Sequence, residues 1–305
     1  MSTCRSIKWK LLNSLKFILV LNIVVFILNS LSYINNCNAI QKQIIKSRQP
    51  ESPVIFAITP TYARWTQKAD LVRLSQTLLH VENFHWIVVE DANTKSKLVE
   101  NLLSNSGLNF THLNAKTDTS YKLKDKDPNW LLPRGVSQRN EGLKWIRRNV
   151  QPGTNGVLYF MDDDNTYSLE LFQEMRTTKL AAVWPVGLVG GLKFEGPMSC
   201  TESNVGSWYT AWKPDRPFPL DMAGFAIHVS LILKYPEAYY SNEVPRGYLE
   251  SDFLTKIGLD KTKVEPKAKQ CSKILVWHTR TEKAKMKQEE KLIKIGKPSD
   301  PSMEV

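Results

Sequence analysis

Three consecutive aspartates, Asp162, Asp163 and Asp164, directly follow the apolar run of residues 157–161. A run of this length and composition is typical of a fully buried strand. Its carboxyl end would place three carboxylates at the rim of a sheet, where α/β folds bind their ligands. A divalent metal carrying a diphosphate would offset the mutual repulsion, since Mg²⁺ and Mn²⁺ prefer oxygen ligands. The alternative is a solvated Asx turn before a capped helix.

Polar side chains also follow two earlier predicted strands. Residues 54–58 lead to Tyr62, and residues 86–89 lead to Asp91. An amphipathic helix between them gives a strand–helix–strand order, which predicts a parallel sheet that binds a ligand along its carboxyl edge. Tyr62 is suited to stack on a base, and Asp91 to accept a hydrogen bond from a nucleotide. Turn packing for Tyr62 and a helix cap for Asp91 are the alternatives, but together these residues favour a site.

Basic and acidic side chains further along add to the candidate site. Arg134 and Arg139 flank the start of a helix predicted over residues 136–148, where they can clamp a phosphate or form surface ion pairs. Glu250 lies where another helix should begin, so that the helix dipole would favour the ionised form that a general base needs; capping is the alternative. His278 and Arg280 follow an apolar strand and suit a diphosphate leaving group.

The chain has 305 residues and a net charge of +11, but the distribution of charge argues against a nucleic-acid partner. Basic residues without acids precede the apolar stretch 17–34, and a lysine-rich segment, with a helix predicted over 282–294, lies near the C-terminus. The apolar stretch is just long enough to cross a bilayer, which takes roughly 20 residues as a helix. The basic flank places the amino terminus in the cytosol. A cleaved signal peptide is the rival interpretation.

We therefore expect a single-pass protein whose bulk lies in the secretory lumen. No linker or internal repeat divides the chain after Pro53, so the remainder fits one large α/β domain or two small ones. The predicted order is a cytoplasmic tail (1–16), a transmembrane signal anchor (17–34), a luminal stem (35–52) and a catalytic domain (53–305) with a donor half at about 53–167 and an acceptor half at about 168–305.

Cysteine usage and one sequon add expectations for a luminal protein. Cys37, in the stem, is placed for an intermolecular disulfide between two anchored copies, whereas Cys200 and Cys271 either pair or remain buried thiols. Asn109 begins the N-glycosylation sequon Asn-Phe-Thr. The sequence contains no nucleophile elbow, P-loop, GxGxxG or C-x-x-C pattern, which argues against acyl transfer and a zinc site.

Eight segments resemble, in order, those of the β-1,3-glucuronosyltransferases, a family of metal-dependent inverting transferases. They are TPTYAR (59–64), VEDA (89–92), PRGVSQRN (133–140), FMDDDNTYS (160–168), WPVGLVGG (184–191), DMAGFA (221–226), LESDFL (249–254) and LVWHTRTEK (275–283). The resemblance runs from about Pro53 to Val305. The ending QEEKLIKIGKPSDPSMEV is similar to that of the member that completes the glycosaminoglycan–protein linkage tetrasaccharide.

This resemblance implies an α/β fold of the glycosyltransferase-A (Rossmann-like) type, with a nucleotide-sugar-binding half and a C-terminal acceptor-binding half. It implies Mn²⁺-dependent transfer of glucuronate from UDP-glucuronate to the 3-hydroxyl of a terminal galactose by a single inverting displacement. It also implies a Golgi membrane location and a homodimer in which the C-terminal tail, including Val305, reaches the neighbour's acceptor site.

The resemblance also implies roles for individual residues. The catalytic base is Glu250, and the direct Mn²⁺ ligand is Asp164. The remaining donor contacts are Tyr62, Asp91, Arg134, Arg139, Asp162, Asp163, His278 and Arg280, and the acceptor contacts are Glu195, Arg216 and Asp221. The family suggests Arg134 or Arg139 as the partner of the sugar carboxylate, which would select glucuronate over neutral sugars.

Two alternatives remain beside transfer to Gal-β1,3-Gal. One is a β-1,3-glucuronosyltransferase that acts on N-acetyllactosamine-type glycoprotein or glycolipid acceptors. The other is a non-catalytic, membrane-anchored carbohydrate-binding protein, against which the joint presence of Glu250 and the aspartates argues. Residues 198–208, which include Cys200, depart from the family pattern near the acceptor region, so the donor is better defined than the acceptor.

Overall fold

The computed structural model describes residues 28–32, 52–123, 127, 131–300 and 302–304. The chain divides into two compact units, Met1–Ser52 and Pro53–Val305. In the first unit, residues 28–32 are helical. Within the described ranges, no helix is both long and apolar enough to cross a membrane. The predicted cytoplasmic tail, most of the predicted anchor and stem, and Cys37 lie outside the described residues.

The described strands of the second unit form two sheets. In chain order they are β1 (Val54–Thr61), β2 (Phe84–Glu90), β3 (Phe110–Asn114), β4 (Gly156–Phe160), β5 (Thr166–Tyr167), β6 (Ala181–Val183), β7 (Val186–Gly187), β8 (Phe194–Met198), β9 (Ser207–Tyr209), β10 (Phe225–His228), β11 (Glu265–Pro266) and β12 (Val276–Trp277). The seven-stranded sheet has the order β11-β6-β10-β4-β1-β2-β3, and the five-stranded sheet has the order β5-β12-β7-β8-β9.

Helices connect these strands. They are α1 (Gln67–Leu78), α2 (Lys97–Asn105), α3 (Val136–Asn149), α4 (Leu169–Arg176), α5 (Val229–Lys234), α6 (Leu249–Lys256) and α7 (Lys287–Lys294), with short 3₁₀ turns at Thr119–Tyr121 and Met222–Gly224. The helix predicted over 136–148 is therefore present. The lysine-rich helix is shorter than predicted, since it begins at Lys287, and the strand predicted over 274–277 contains only Val276–Trp277.

Strand residues alternate between two hydrophobic cores. In β4, Leu158 and Phe160 belong to one core, whereas Val157 and Tyr159 belong to the other. Side chains of α3, α5 and α6 join the first core, and those of α1, α2 and α4 join the second. Because both faces of the sheet are covered, β4 is buried along its whole length, as the sequence predicts.

The large sheet is mixed, which corrects the prediction of a parallel sheet. Strands β1, β2, β3 and β4 pair parallel with one another, but β10 pairs antiparallel with both β4 and β6. The parallel part still brings its carboxyl ends together. Thr61 is in register with Glu90, and Ile58 is in register with Phe160, so the residues after β1, β2 and β4 lie along one edge.

Candidate active site

The three aspartates after β4 have different partners. Asp162 forms an ion pair with Arg139 at 2.5 Å. Asp163 pairs with Arg64 at 2.8 Å and accepts a hydrogen bond from the Thr61 hydroxyl at 2.7 Å. Within the described ranges, the carboxylate of Asp164 has no hydrogen bond or ion pair. Protein cations thus offset two of the three negative charges, and Asp164 is left to contact a ligand.

The electrostatics of the triplet favour an additional cation. Burial raises the pKa of Asp163 to about 6, although Arg64 and Thr61 act in the opposite direction. Burial, followed by the nearby charge of Asp162, also raises the pKa of Asp164. Both shifts mean that burial makes the ionised carboxylates less favourable than they are in water, and a ligand cation would offset this effect.

This donor set suits a metal that takes most of its ligands from a substrate. No cluster of three or more His, Cys, Asp or Glu side chains able to hold a metal is present among the described residues. One carboxylate, Asp164, together with diphosphate oxygens and water is the kind of coordination that Mg²⁺ and similar hard cations use. The residues present therefore fit a metal bound together with a nucleotide diphosphate, with Asp164 as the protein ligand.

Tyr62 and Asp91 lie at the ends of adjacent strands. The Asp91 amide donates to the Thr61 carbonyl at 2.8 Å, so the two segments are joined directly. The ring of Tyr62 is half exposed, and the Arg64 guanidinium lies over it at 4.7 Å from the centroid. Asp91 accepts hydrogen bonds from the Thr117 amide at 2.7 Å and hydroxyl at 2.9 Å. Its carboxylate is therefore fixed, while retaining lone pairs for a ligand.

The two predicted arginines differ in environment. Arg139 is buried against Asp162 and donates to the Arg134 carbonyl at 2.7 Å, whereas the side chain of Arg134 is exposed. Gly135, the N-cap of α3, lies between them with φ of 72°. A Cβ at this position would lie 2.5 Å from Arg139 Nη1, so only glycine permits both the left-handed backbone and the close approach.

Glu250 is the second residue of α6. Burial, followed by the charge of Asp221, raises its pKa to about 7. This is the reverse of the expectation that the helix dipole would favour the ionised form. Desolvation outweighs the dipole because the dipole contributes no more than about 2 kcal/mol even at a partly buried helix end. A carboxylate with this pKa is well matched to a general base at neutral pH.

Asp221 connects the surroundings of Glu250 to β12. Its carboxylate forms an ion pair with His278 Nδ1 at 3.2 Å and accepts from the Ala223 amide at 3.0 Å. Burial raises the pKa of Asp221, but His278 and the Ala223 amide outweigh it, and the net shift is downward. The carboxylate of Asp221 in turn raises the pKa of His278. Asp221, which is predicted to bind the acceptor, is thus in contact with His278, which is predicted to bind the donor.

The other predicted acceptor residues form a buried ion pair between Glu195 and Arg216. Thr210 donates to Glu195 at 3.0 Å. Arg216 also donates to the Gly247 carbonyl at 3.2 Å, which ties β8 to the loop that precedes Glu250. This ion pair therefore positions the loop that leads into the candidate base.

The strand ends that carry the predicted donor contacts form what we call the donor edge. Sequence reasoning missed three residues that organise it. Arg64 contacts Asp163, Asp70 and the ring of Tyr62. Asp70, in the first turn of α1, is fully buried. Thr279 donates its hydroxyl to the Asp164 carbonyl at 2.7 Å. Arg64 belongs to the segment TPTYAR that carried the resemblance and could have been found there. Asp70 could not, because a buried acid among the polar residues of a helix does not change the hydrophobic periodicity.

Cys200 and Cys271 form a disulfide, which settles the alternative left open by the sequence. Cys200 follows β8, and Cys271 ends the turn Ala268–Cys271, whose φ angles are all positive. The bridge therefore joins the β8–β9 loop, where the sequence departs from the family pattern, to the segment that leads into β12.

We expect replacement of both Cys200 and Cys271 by serine to lower the free energy of unfolding by about 2–4 kcal/mol, because the bridge closes a long loop in the unfolded chain. Urea unfolding monitored by tryptophan fluorescence measures the change. A reductant should destabilise the native chain but not the double variant. Equal reductant sensitivity of the two proteins would contradict the bridge.

Two further predicted positions lie away from this site. Asn109 is exposed and directly precedes β3, and its sequon partner Thr111 hydrogen-bonds His85 at 2.8 Å. At the other end of the chain, Glu304 contacts Lys68 and Asn101 of the same chain. Val305 lies outside the described residues.

The fold and the site define a class of protein. The mixed α/β unit places carboxylates, arginines and a histidine at its strand ends, near a glutamate whose pKa is raised to about 7. These groups suit an enzyme that transfers a group from an anionic donor. The chain belongs to glycosyltransferase family 43, whose family model matches residues 74–282. It is therefore a glycosyltransferase.

The chain is also similar to individual proteins. The chain is 53% identical to galactosylgalactosylxylosylprotein 3-beta-glucuronosyltransferase 3 of Mus musculus over 268 residues, which cover 84% of this chain and 79% of the relative. It is 48% identical to galactosylgalactosylxylosylprotein 3-beta-glucuronosyltransferase 1 of Homo sapiens over 258 residues, which cover 83% and 75%. Among solved structures, S. aureus TarS 1–349 in complex with UDP-GlcNAc matches with a TM-score of 0.47 and 18% identity, over 77% of this chain and 60% of that chain.

Proposed function

We propose that this protein transfers glucuronate from UDP-glucuronate to the 3-hydroxyl of the terminal galactose of Gal-β1,3-Gal-Xyl-protein, and so completes the glycosaminoglycan–protein linkage tetrasaccharide. The names of the two relatives, to which the chain is 53% and 48% identical, support this acceptor. The observation that carries the proposal is the position of Glu250. Two charged residues near Glu250, Asp221 and Arg139, also contact predicted donor residues. Asp221 pairs with His278, and Arg139 pairs with Asp162.

The proposed site divides the chemistry between two sides. Glu250 removes the proton of the acceptor 3-hydroxyl as that oxygen attacks C1 of the sugar, and the bond from C1 to the UDP oxygen breaks in line. The α-linked donor thus gives a β-linked product without a covalent intermediate. His278 and Arg280 offset the charge that develops on the diphosphate. Mn²⁺, when held by Asp164, would supply Lewis-acid stabilisation of the same leaving group.

The proposal assigns the remaining donor and acceptor contacts to the residues that the resemblance implies. Tyr62 stacks on the uracil, and Asp91 accepts from the base or ribose. Asp162 and Asp163 line the nucleotide and ribose side, each held by an arginine. Because Arg139 is already paired with Asp162, the exposed Arg134 is the freer guanidinium of the two for binding the glucuronate carboxylate. Glu195 and Arg216, together with Asp221, bind the acceptor sugars.

The cellular context is part of the same proposal. The fold is of the glycosyltransferase-A type, with the donor half at about 53–167 and the acceptor half at about 168–305. The protein is a type II Golgi membrane protein anchored by residues 17–34, and its copies form a homodimer linked through Cys37. The basic residues that precede the apolar stretch support this orientation.

The pH profile offers a test of the base. Because Glu250 must be ionised to accept a proton and its pKa in the free chain is raised to about 7, kcat/KM should fall about tenfold per pH unit below that value and level off above it. The charge of Asp221 contributes to the raised pKa, so Asp221→Asn should move the acidic limb to lower pH. A limb that does not move, or a rate independent of pH between 5 and 8, would contradict this assignment.

Acceptor choice is tested with paired oligosaccharides. The purified full-length chain is incubated with UDP-glucuronate, Mn²⁺ and an acceptor that ends either in Gal-β1,3-Gal or in N-acetyllactosamine. The proposal predicts strong preference for the first. Comparable rates would indicate a broader β-1,3-glucuronosyltransferase. UDP binding without transfer to either acceptor would favour a carbohydrate-binding protein.

A further inference from the structure

The segment after β12 is fastened by the hydroxyls of two threonines. Thr279 donates to the Asp164 carbonyl at 2.7 Å and lies 3.1 Å from the Thr166 hydroxyl. Thr281 donates to the carboxylate of Asp70 at 2.5 Å. Arg280 lies between these two anchor points, and its own side chain is exposed. The backbone that carries Arg280 is therefore fixed on both sides.

Asp70 is a buried acceptor that several elements share. Its side chain is 0% exposed, and it accepts from Thr281, from Arg73 at 2.6 Å and from Arg64 at 2.8 Å. Hydrogen bonds to a carboxylate are about twice as strong as neutral ones, and loss of one from a buried group is costly. Asp70 thus ties α1 to the segment after β12.

Through Arg64, the carboxylate of Asp70 is also linked to Asp163 of the aspartate triplet. Arg64 uses one nitrogen, Nη2, to contact both Asp70 and Asp163, each at 2.8 Å. Asp70 therefore links the segment that holds Arg280 to the guanidinium that holds Asp163. None of these contacts requires Asp70 to touch a ligand.

We propose that Asp70 and Thr281 are positioning residues that hold Arg280 in place for the diphosphate of the donor. This inference rests on the proposed function, in which Arg280 and His278 contact the diphosphate. Arginine side chains lose substantial conformational entropy when they become ordered, so an anchored backbone reduces the entropy lost when diphosphate binds. The Asp70–Thr281 hydrogen bond supplies that anchor from a helix outside the site.

The test uses Thr281→Val, which removes the hydroxyl but preserves the shape of the side chain. UDP and uridine are titrated separately into the purified full-length chain in the presence of Mn²⁺, by calorimetry and by ligand-observed NMR. We expect the Kd for UDP to rise about tenfold, as loss of a hydrogen bond to a charged group implies, while the Kd for uridine changes less than about twofold. Thr281→Ser, which retains the hydroxyl, should restore UDP affinity.

A matched control and an independent readout separate positioning from folding. Thr178→Val makes the same change at a buried threonine whose hydroxyl donates to the Met175 carbonyl, and it should leave both affinities unchanged. Asp70→Asn should weaken UDP binding at least as much as Thr281→Val. Thermal unfolding of each variant, measured without ligand, reports the folded state.

Each outcome bears on one claim. If the unaltered chain does not bind UDP, the proposed function fails. If it binds UDP and Thr281→Val binds equally well, the positioning inference is wrong. Parallel losses of UDP affinity, uridine affinity and thermal stability in Thr281→Val would show a merely structural role and would also overturn the inference.

Discussion

Glu250→Gln is expected to lower kcat for glucuronate transfer by about a thousandfold or more while UDP binding remains nearly intact. Glutamine has the same shape but cannot accept the proton of the acceptor hydroxyl, and removal of a general base typically costs about 10²–10⁴ in rate. Transfer from UDP-glucuronate to a Gal-β1,3-Gal acceptor measures kcat, and calorimetric titration measures UDP affinity. The two readouts together distinguish loss of chemistry from loss of binding.

Asp252→Asn provides the matched control for this change. Asp252 lies in the same first turn of α6, two residues beyond Glu250, and forms an ion pair with Lys256 at 2.7 Å. Its neutralisation should leave kcat within about twofold, because Asp252 pairs with Lys256 of the same helix and not with a residue of the candidate site. If Glu250→Gln retained more than a tenth of the activity, Glu250 would not be the base.

Asp164→Ala is expected to remove metal-dependent turnover, with a loss of at least about a hundredfold in kcat/KM. Asp164 is the member of the triplet whose carboxylate remains available for a ligand, and a metal at a leaving group contributes several kcal/mol. Transfer rates as a function of Mn²⁺ concentration measure the loss. Electron paramagnetic resonance of free Mn²⁺ in the presence of UDP measures metal binding without reference to activity.

Asp118→Asn is a suitable control for that experiment. Asp118 is exposed and accepts a hydrogen bond from Ser120. The substitution therefore removes one surface carboxylate without affecting the aspartate triplet. Its Mn²⁺ dependence should match that of the unaltered chain. If Asp164→Ala retained a normal Mn²⁺ dependence, another group would have to hold the metal.

The positions of the strand ends followed from the sequence because buried strands have a simple signal. The apolar run of β4 and the acids directly after it could be recognised from residue types alone. The polar ends of β1 and β2 could be assigned to the same edge as that of β4 because the carboxyl ends of parallel strands meet at one edge of a sheet. That β4 pairs with β1 and not with β3 could not be predicted. The structure has Thr61, Asp91 and Asp162 along that edge, joined by backbone hydrogen bonds between adjacent segments.

The parts that sequence reasoning did not find depend on contacts between distant residues. Strand β10 lies between β4 and β6 and is antiparallel to both, and its four residues give no signal of direction in the sequence. The raised pKa of Glu250 arises from burial and from Asp221, which is 29 positions away along the chain. Asp70 acquires its role only when α1 packs beside Thr281, which lies 211 residues further along the chain.

The stereochemistry of the product tests the central claim most directly. The purified full-length chain is incubated with UDP-glucuronate, Mn²⁺ and an acceptor that ends in Gal-β1,3-Gal, and the product is analysed by NMR. A single inverting displacement with Glu250 as base predicts glucuronate in β linkage to the 3-hydroxyl of the terminal galactose. An α-linked product, attachment to another hydroxyl, or the absence of transfer would contradict the proposed function.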